Sequence, residues 1–339
     1  MGKRDAIFYR SNIPVFQCSD GFVMLAMTQE TQESGLTREL KLIAGLKVKR
    51  CEPMARYTSM KIGGPADYFI EVETEQALQN LLPALKRHDS AFYLLGNGSN
   101  VLVSDRGIRG AVLRLAGEFK RAEWREEALT VWLRVGAAYA VTQLVREAAR
   151  RGYGGLEFAE GIPGTVGGAL VMNAGAYGSE FERVVESVEG VTEQGEVIRL
   201  ARAEMTFTYR DSHLPAGMVV TRVTLRLRKE DAARVKSKIH ELVSQRKRSQ
   251  PSGHPNSGSM FRNPPGDYAG RLIEAAGLKG KRLGQSQISE RHANFIVNLG
   301  GAKADNVREL MELARAEVKR QFGVELVPEV RLIGDWPSH

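Results

Sequence analysis

The segment GIPGTVGGALVMNAGAYG, residues 161–178, places six glycines within eighteen residues. Glycine costs backbone entropy on folding, so this density indicates a segment in which the backbone itself has a role. The segment is neither charged nor of low complexity, and long loops of that kind usually carry function. It has no Gly-Lys-Ser/Thr ending, so it does not predict an ATP-binding P-loop. It also lacks the strand–GxGxxG–helix context of a Rossmann site, so a dinucleotide would be held in another way.

A second glycine-rich loop, LLGNGSNVLVSD at residues 94–105, directly follows a predicted strand. Its consecutive amides and its short hydroxyl and amide side chains can surround a diphosphate. Taken alone, the pattern is equally typical of a hairpin turn. Because two such loops occur in one strand-rich region, they favour a dinucleotide diphosphate held by backbone amides over a pair of simple turns.

Composition sets the broad class of the protein. The chain has 339 residues, 42% of them hydrophobic, which predicts two or three soluble globular domains. No apolar run is long enough to cross a bilayer, and residues 1–33 lack the pattern of a signal peptide. Only two cysteines occur, Cys18 and Cys51, without metal-type spacing. They predict a reducing cytoplasm and no disulfide framework.

The formal net charge of +8 is compatible with binding of nucleic acid or of a smaller polyanion such as a nucleotide. The longest basic cluster, QRKRSQ at residues 245–250, ends a predicted helix, where cations suit the helix dipole. No aromatic residues interleave with it, as a surface for single-stranded nucleic acid would require. The cluster is therefore interpreted as a solvated helix end, and no nucleic-acid partner is predicted.

Residues 58–229 are predicted to be rich in strands, with a few helices between them. A helix over residues 75–86 places Ala77, Leu78, Leu81, Leu82 and Leu85 on one face, although Pro83 predicts a kink or an early end. A second helix, residues 138–151, is expected to stop at Gly152. Strands are predicted at residues 67–72, 91–96, 111–115, 129–136 and 218–228, with a hairpin over residues 185–200.

The composition changes at Glu230, and the pattern beyond it predicts a separate, smaller α+β domain. Helices are predicted at about residues 231–248, 268–276 and 305–322, and strands at residues 293–299 and 325–334. At the other end of the chain, residues 1–35 are polar and irregular apart from two short apolar stretches. They are interpreted as an appended arm.

Ser259 lies in NSGSMFRNPPGDYAG, residues 256–270, between Gly258 and Met260 and just before an Arg-Asn-Pro-Pro-Gly turn. A serine beside glycine and close to proline is typical of turn chemistry. The alternative is a hydroxyl directed at a substrate, and this stretch alone favours the turn.

Seven motifs occur in order along the chain: RYTSMKIGGPADYFIEV, LLGNGSNVLVSDRGIRG, GIPGTVGGALVMNAGAYG, FTYRDSHL, GSMFRNPPGDYAGRLIEAAGLKG, ISERHANFIVN and VPEVRLIG. Together they resemble the UDP-N-acetylenolpyruvoylglucosamine reductase (MurB) family of flavoproteins, over about residues 45–334. The short distance between YRDS and GSMFRNP resembles the branch of the family that lacks an inserted substrate loop.

The resemblance implies an α+β fold in which an FAD-binding domain of the vanillyl-alcohol-oxidase (PCMH) type precedes a smaller substrate-binding domain. With the change of pattern at Glu230, it predicts an irregular extension at residues 1–35, an FAD-binding domain at residues 36–229 with its core at about 62–229, and a substrate-binding domain at residues 230–335.

The resemblance also implies the reaction. NADPH reduces a non-covalently bound FAD and leaves, and UDP-N-acetylglucosamine enolpyruvate then binds in the same place. Flavin N5 gives hydride to the methylene carbon of the enolpyruvyl group, an acid protonates the adjacent carbon, and UDP-N-acetylmuramate forms. This is a cytoplasmic step of peptidoglycan precursor synthesis, and therefore of cell-wall biogenesis, cell shape and cell division.

Three residues match the catalytic positions of the family: Arg210, Ser259 and Glu329. Hydride addition drives negative charge onto the substrate carboxylate, and the Arg210 guanidinium can hold that carboxylate. A buried Glu329 carboxyl would have a raised pKa and could donate a hydrogen bond to the developing enolate. Ser259 occupies the proton-donor position. Without the resemblance, Arg210 would be interpreted as a surface arginine and Glu329 as an acid facing water.

The loops and the resemblance together predict the binding residues. Asn263, Arg262 and His292 are expected to contact substrate, with Arg262 at a position that is often lysine in the family and His292 on the UDP portion. The histidines form no metal-ligand cluster, so no metal is predicted. The FAD-binding residues are predicted to be Gly63, Gly96, Asn97, Gly98, Ser99, Asn100, Ile162, Gly164, Thr165, Gly167, Gly168, Asn173, Gly175 and Ala176.

Two other functions remain open on the sequence. One is a flavin oxidase that uses oxygen, although no histidine or cysteine resembles a covalent flavin attachment point. The other is a basic RNA-binding protein on a degenerate flavin fold. A yellow protein that NADPH bleaches without oxygen would distinguish the reductase from a colourless protein whose RNA binding depends steeply on salt.

Overall fold

The structure is a computed structural model, and it describes residues 34–337. None of the helices in that range is long and apolar enough to cross a membrane. They are α1 (Gly35–Leu42), α2 (Glu75–Arg87), α3 (Val141–Arg151), α4 (Val166–Val171), α5 (Ala232–Ser249), α6 (Ala269–Ala275) and α7 (Ala304–Phe322).

The strands of the same range form three sheets and two small pairs. They are β1 (Leu46–Pro53), β2 (Pro65–Val72), β3 (Phe92–Leu94), β4 (Val101–Val103), β5 (Ile108–Leu115), β6 (Ala122–Glu127), β7 (Thr130–Gly136), β8 (Tyr153–Gly154), β9 (Gly175–Ala176), β10 (Ser179–Glu180), β11 (Val185–Val191), β12 (Val197–Ala201), β13 (Val219–Lys229), β14 (Arg282–Leu283), β15 (Ser286–Ile288), β16 (Ile296–Asn298) and β17 (Arg331–Ile333).

The first sheet has the strand order β1-β2-β5-β3, with β2, β5 and β3 parallel and β1 antiparallel to β2. Helix α2 packs on β2, and its predicted apolar face is confirmed because the side chains of all five residues are at most 1% exposed. The strand predicted at residues 67–72 is confirmed as part of β2. The side chains of α2 are thus buried with the helical period of about 3.6 residues, and those of β2 largely with the strand period of two.

The sequence predicted a kink or an early end of the helix at Pro83. The early end is wrong, because α2 continues to Arg87. Proline cannot donate a hydrogen bond to the carbonyl four residues earlier, which here belongs to Gln79. The turn between β11 and β12 packs against this point. A Cβ atom at Gly195 would collide with the Gln79 carbonyl oxygen, so glycine permits the close approach.

The structure adds two elements before residue 58, where the sequence predicted the first regular pattern. Helix α1 begins after Ser34, whose side chain accepts a hydrogen bond from the Thr37 amide, and it buries Leu36 and Leu40. Strand β1 pairs along its length with β2. Strand β1 was not predicted, because most of its side chains are exposed and the segment therefore lacks an alternation of apolar residues.

The second sheet is antiparallel, with the order β12-β11-β13-β7-β6, and β8 pairs with β13. The predicted hairpin over residues 185–200 is confirmed as β11 and β12, and the alternating segment at residues 218–228 as β13. Helix α3 ends at Gly152, which has the predicted left-handed conformation with φ of 73°. One apolar core joins this sheet to α2 and the first sheet.

The C-terminal elements form their own core around α6, α7 and the sheet β14-β15-β16, but they are closely tied to the preceding part. Met60, Ile62 and Leu102 belong to this C-terminal core. The strand predicted at residues 325–334 is limited to β17, which runs parallel to β4. Pro328 explains the shorter strand, since it has no amide hydrogen for a sheet ladder.

Most of the predicted N-terminal arm, residues 1–33, lies outside the described residues. The expectation of no disulfide is contradicted at Cys51, whose sulfur is disulfide-bonded. Cys18 lies outside the described residues.

Candidate active site

The two glycine-rich loops contact each other. A Cβ atom built on Gly96 would lie 2.7 Å from the Thr165 hydroxyl oxygen, and one built on Gly164 would lie 3.5 Å from the Ser99 hydroxyl oxygen. Residues predicted from two separate stretches to bind the cofactor are therefore neighbours in space. The loop after β3 and the loop before α4 therefore lie side by side.

Backbone amides in both loops are available to a ligand. Within residues 34–337, the amides of residues 96–100 donate no hydrogen bond to a protein acceptor, nor do those of Gly164 and Thr165. Gly98 has φ of +60°, and a Cβ atom there would collide with the Tyr57 carbonyl oxygen, so this loop shape requires glycine. Successive free amides in such a loop form a concavity that binds anions such as a diphosphate.

Other predicted cofactor residues have roles within the protein. Gly167 is buried, donates from its amide to the Ala137 carbonyl oxygen over 2.9 Å, and has no space for a Cβ atom, which would lie 2.8 Å from the Ala137 Cβ. The Thr165 hydroxyl accepts from the Gly168 amide and caps α4. Ile162 packs against the main core, and Gly175 and Ala176 form β9. Gly63 lies beside Val103, at the end of β4.

Asn173 is fully buried, and its amide makes three hydrogen bonds to the protein. Its Nδ2 donates to Glu180 Oε2 over 2.7 Å and to the Thr208 carbonyl oxygen over 3.2 Å. Its Oδ1 accepts from the Glu182 amide over 3.0 Å. Asn173 therefore connects the glycine-rich segment to the turn at Thr208.

Arg210 and Glu329, predicted from motifs 119 residues apart, form an ion pair with Nε and Oε1 separated by 2.9 Å. Their side chains are only 18% and 16% exposed. The Arg210 guanidinium also lies over the Tyr209 ring. Burial raises the pKa of the Glu329 carboxyl above its ordinary value, although the positive charges of Arg210 and Arg262 oppose that rise.

Ser259 lies in a segment that pairs with two other segments of the chain. Ser259 itself forms a bridge with Phe295. The following residue, Met260, donates from its amide to the Asn294 carbonyl oxygen, and its carbonyl oxygen accepts from the Glu329 amide over 2.8 Å. Ser259 is therefore the neighbour in sequence of Met260, the residue to which the Glu329 amide is hydrogen-bonded. Its half-buried hydroxyl has no hydrogen-bond partner among residues 34–337 and is free to bind a ligand.

The cofactor loop reaches the same place. The Asn100 side chain donates from Nδ2 to the Glu329 carbonyl oxygen over 3.2 Å, and the Arg331 amide donates to the Asn100 carbonyl oxygen over 3.0 Å. The loop at residues 94–105, the segment of Ser259 and the Arg210–Glu329 pair are therefore linked by hydrogen bonds.

Arg331 was not predicted and belongs to this site. Its amide donates to the Asn100 carbonyl oxygen, and its exposed side chain lies near the charges of Asp211 and Arg262. The charges of Arg210 and Arg262 both act on the Glu329 carboxyl, so this region favours anions. The sequence contained a signal, because Arg331 stands two residues after Glu329 in the motif VPEVRLIG.

The predicted substrate residues are placed differently. The backbone amide of Arg262 donates to the Val327 carbonyl oxygen, while its buried side-chain Nε has no partner among the described residues and can still bind a ligand. Asn263 is exposed, and its Oδ1 accepts from the Ala269 amide at the start of α6.

His292 is packed beneath α6. A Cβ atom on Gly270 would lie 2.8 Å from its Cε1, and its ring meets Phe295 edge-on. Burial lowers the pKa of the imidazole, and its Nδ1 accepts from the Asn294 amide over 3.2 Å. The ring is therefore neutral, and only its Nε2–H remains to donate to a ligand.

Comparisons with known proteins agree with this geometry. Residues 66–201 match the family model of an FAD binding domain, and residues 250–333 match that of the UDP-N-acetylenolpyruvoylglucosamine reductase C-terminal domain. UDP-N-acetylenolpyruvoylglucosamine reductase 2 of Symbiobacterium thermophilum is 48% identical over 292 residues, which cover 86% of this chain and 94% of that protein. UDP-N-acetylenolpyruvoylglucosamine reductase of Rubrobacter xylanophilus is 46% identical, with coverage of 84% and 94%.

A solved structure gives the same result. The crystal structure of UDP-N-acetylenolpyruvylglucosamine reductase (MurB) from Thermus caldophilus superposes with a TM-score of 0.74 at 40% identity, covering 85% of this chain and 99% of that one. The fold and the site thus define an FAD-binding oxidoreductase of the α+β class, as expected. Within that class, the chain belongs to the UDP-N-acetylenolpyruvoylglucosamine reductase (MurB) family, which confirms the resemblance.

Proposed function

We propose that this enzyme reduces UDP-N-acetylglucosamine enolpyruvate to UDP-N-acetylmuramate in cytoplasmic peptidoglycan precursor synthesis, with NADPH as reductant. The observation that carries the proposal is the Arg210–Glu329 pair, held beside Ser259 and joined through Asn100 to the glycine-rich loop. Family membership supports the same reaction. Residues 36–229 are proposed to bind FAD, and residues 230–335 are proposed to bind the substrate.

The two adjacent loops suit FAD because its diphosphate needs several fixed hydrogen-bond donors. The free amides of residues 96–100, Gly164 and Thr165 supply such donors without a lysine or a metal ion. When bound, FAD takes hydride from NADPH and delivers it from N5 to the methylene carbon of the enolpyruvyl group. The protein has to orient the substrate, stabilise the charge that develops and supply one proton.

Arg210 is proposed to hold the substrate carboxylate. Hydride addition to an enolpyruvyl group drives electron density toward that carboxylate, so a fixed cation there stabilises the transition state more than the ground state. Arg210 is largely removed from water and is held by Glu329, so its guanidinium need not reorganise during the reaction. Arg262 adds positive charge that also acts on Glu329.

Glu329 is proposed to act in its protonated form. The raised pKa of its buried carboxyl favours that form, and a neutral carboxyl can donate a hydrogen bond to the developing enolate. This role differs from a simple ion pair with Arg210, in which the carboxylate would only accept. The two states differ by one proton, which links the activity to pH.

Ser259 is proposed to give its hydroxyl proton to the carbon next to the one that receives hydride. A free serine hydroxyl is a weak acid, so neighbouring groups must stabilise the alkoxide that forms. The cations grouped around Glu329 are the source of that stabilisation. Its hydroxyl is not engaged by other residues of the described range, as a proton donor requires.

The UDP portion is proposed to contact Arg262, Asn263 and His292. The unpartnered Nε of Arg262 and the free Nε2–H of His292 can donate to phosphate or uracil oxygens, and the Asn263 side-chain NH₂ remains available. These contacts would place the substrate across the C-terminal elements, with its enolpyruvyl end at Arg210.

An anaerobic spectrum tests the proposal. The purified protein should be yellow, NADPH should bleach it, and the enolpyruvyl substrate should restore the colour while one UDP-N-acetylmuramate forms per flavin. Recovery of colour with oxygen but not with that substrate would indicate an oxidase. A colourless protein without bound flavin would contradict the proposed use of FAD.

A further inference from the structure

The turn that carries Arg210 is short and strained. Thr208 and Asp211 pair with each other through two backbone hydrogen bonds of 2.9 and 3.1 Å, which leaves only Tyr209 and Arg210 at its tip. Arg210 has φ of +63°, a conformation that is uncommon for residues other than glycine. Such a conformation persists only when the surrounding structure holds it. The position of the guanidinium therefore depends on what fixes this turn.

Two buried side-chain contacts fix it to the glycine-rich segment. On one side, the Asn173 Nδ2 donates to the Thr208 carbonyl oxygen over 3.2 Å. On the other, the hydroxyl of Ser212, whose side chain is also buried, donates to the Val171 carbonyl oxygen over 3.2 Å. Asn173 is itself held by Glu180 and Glu182. The turn is thus attached at both of its ends.

We propose that Asn173 is a positioning residue, which sets the Arg210 guanidinium against the substrate carboxylate by holding the turn at Thr208. The inference rests on the proposed function, since it concerns the carboxylate that Arg210 would bind. It differs from a role in cofactor binding because all three hydrogen bonds of the Asn173 amide go to the protein, and its side chain is fully buried.

The requirement for asparagine follows from the donor and acceptor count. The two Nδ2 hydrogens go to Glu180 and Thr208, and Oδ1 accepts from the Glu182 amide. Aspartate keeps the acceptor and tolerates the left-handed backbone found here, with φ of +37°. It loses both hydrogens, and it places a carboxylate beside the Glu180 carboxylate and the Thr208 carbonyl. The Asn173→Asp change therefore releases the turn while changing side-chain volume little.

Asn298 offers a matched control. It is also a buried asparagine, whose Nδ2 donates to the Met60 carbonyl oxygen and whose Oδ1 accepts from the amides of Gly300 and Ala302. Asn298→Asp thus produces the same chemical change without touching the Arg210 turn. It corrects for the general effect on stability of removing one buried amide group.

A double-mutant cycle tests the proposal. Asn173→Asp is placed in the parent and in Arg210→Ala, and UDP-N-acetylmuramate affinity of the oxidised holoenzyme is measured by calorimetry. In the parent, the change should weaken product binding by about tenfold. In Arg210→Ala it should have little further effect. FAD content and the rate of flavin reduction by NADPH should stay near those of the Asn298→Asp control, while the second half-reaction slows.

The other possible results of this experiment would contradict different claims. Equal losses in both backgrounds, or loss of FAD with unchanged product affinity, would overturn the positioning role while leaving the proposed function intact. A parent holoenzyme that binds no UDP-N-acetylmuramate would overturn the proposed function and this inference with it. If Asn173→Asp does not fold, Ser212→Ala releases the other end of the turn, and its effect on product affinity should likewise disappear in Arg210→Ala.

Discussion

The Asn100 side chain donates from Nδ2 to the carbonyl oxygen of Glu329 over 3.2 Å, which joins the glycine-rich loop at residues 94–105 to the segment that carries Glu329. The Arg331 amide returns a hydrogen bond to the Asn100 carbonyl oxygen. Through these two contacts, the loop proposed to hold the diphosphate also determines where Glu329 lies. The proposed diphosphate-binding loop and the proposed catalytic carboxyl are therefore directly connected.

Asn100→Asp should destabilise the protein and misplace Glu329. Aspartate puts a carboxylate against the Glu329 carbonyl oxygen, and a lost buried hydrogen bond of this kind costs on the order of 1–3 kcal/mol. Thermal melts should show the loss, and the second half-reaction should slow. Asn80→Asp is the control, because the Asn80 side chain is exposed on α2 and only accepts a hydrogen bond, from Gln76, so its melting temperature should match the parent. An unchanged Asn100→Asp melt would show that this contact contributes nothing.

Arg210→Lys should spare flavin reduction by NADPH and slow the reduction of the enolpyruvyl substrate. Charge builds on the substrate only in the second half-reaction, and lysine cannot reproduce the paired donors of the guanidinium. Anaerobic stopped-flow measures each half separately. Equal slowing of both halves would assign Arg210 to nicotinamide binding instead.

Gly164→Val should reduce FAD content in a folded protein. A Cβ atom at Gly164 makes only an ordinary contact with Ser99, so the variant is compatible with the fold, yet its side chain would face the free amides. The absorbance ratio of flavin to protein measures occupancy, and Gly164→Ala should fall between the parent and the valine variant. Full occupancy in folded Gly164→Val would exclude this loop from the FAD site.

Gly167, which the sequence also marks for such a test, is unsuitable. A Cβ atom there would meet Ala137 in the protein interior, so Gly167→Val would disturb packing whether or not FAD binds nearby. The glycine pattern is the same at both positions. Only the fold shows which glycine lies against protein and which lies beside unpaired amides.

Glu329→Gln should change the pH dependence of stability. Burial raises the folded-state pKa of Glu329 above its ordinary value of 4.5, so this group stabilises the fold fully below that value. That contribution is lost as the pH rises through the folded-state pKa. Glutamine does not ionise, so the melting temperature of the variant relative to the parent should increase between about pH 4 and pH 7.

Glu317 provides a control of opposite sign. Its pKa is lowered by hydrogen bonds from Arg320 and then Gln321, so its contribution is present above the ordinary pKa and lost as the pH falls. The melting temperature of Glu317→Gln relative to the parent should therefore decrease, slightly, over the same range. A flat or decreasing difference for Glu329→Gln would show that Arg210 keeps Glu329 ionised in the folded protein.

The helices and central strands could be predicted because burial imposes periods that remain visible in the sequence. Helix α2 is the clearest case, since its five apolar residues are all buried. Strand β1 was not predicted because its side chains are mostly exposed. The continuation of α2 past Pro83 was not predicted because proline interrupts the hydrogen-bond ladder of a helix.

The candidate site shows a similar limit. The motifs predicted Arg210, Ser259 and Glu329 as catalytic residues. How these residues are arranged in space depends on backbone hydrogen bonds between segments far apart in sequence. The interior hydrogen bonds of Asn173 could not be predicted, because the same asparagine in a glycine-rich loop is compatible with cofactor binding. Arg331 could have been found from its spacing to Glu329.

Ser259→Ala should slow the second half-reaction while leaving the fold and flavin reduction nearly unchanged. The substitution removes one hydroxyl that has no hydrogen-bond partner in the described part of the chain, so the melting temperature should change little. General acid catalysis contributes on the order of 10²–10⁴ in rate, and a loss of at least that size is expected if the hydroxyl delivers the proton. In anaerobic stopped-flow, NADPH should bleach the variant at near-normal speed, and the enolpyruvyl substrate should restore its colour slowly.

Ser259→Cys separates proton donation from hydrogen bonding alone. A thiol keeps a proton to give, so the rate of the second half-reaction should lie between those of alanine and the parent. Ser257→Ala is the matched control, because the Ser257 hydroxyl, two residues away, donates to the Val101 carbonyl oxygen and has no proposed part in catalysis. Its second half-reaction should stay close to the parent rate, although the lost hydrogen bond lowers its melting temperature. If Ser259→Ala reoxidises with substrate as fast as the parent, Ser259 is a turn residue, and the proton must come from water or another side chain.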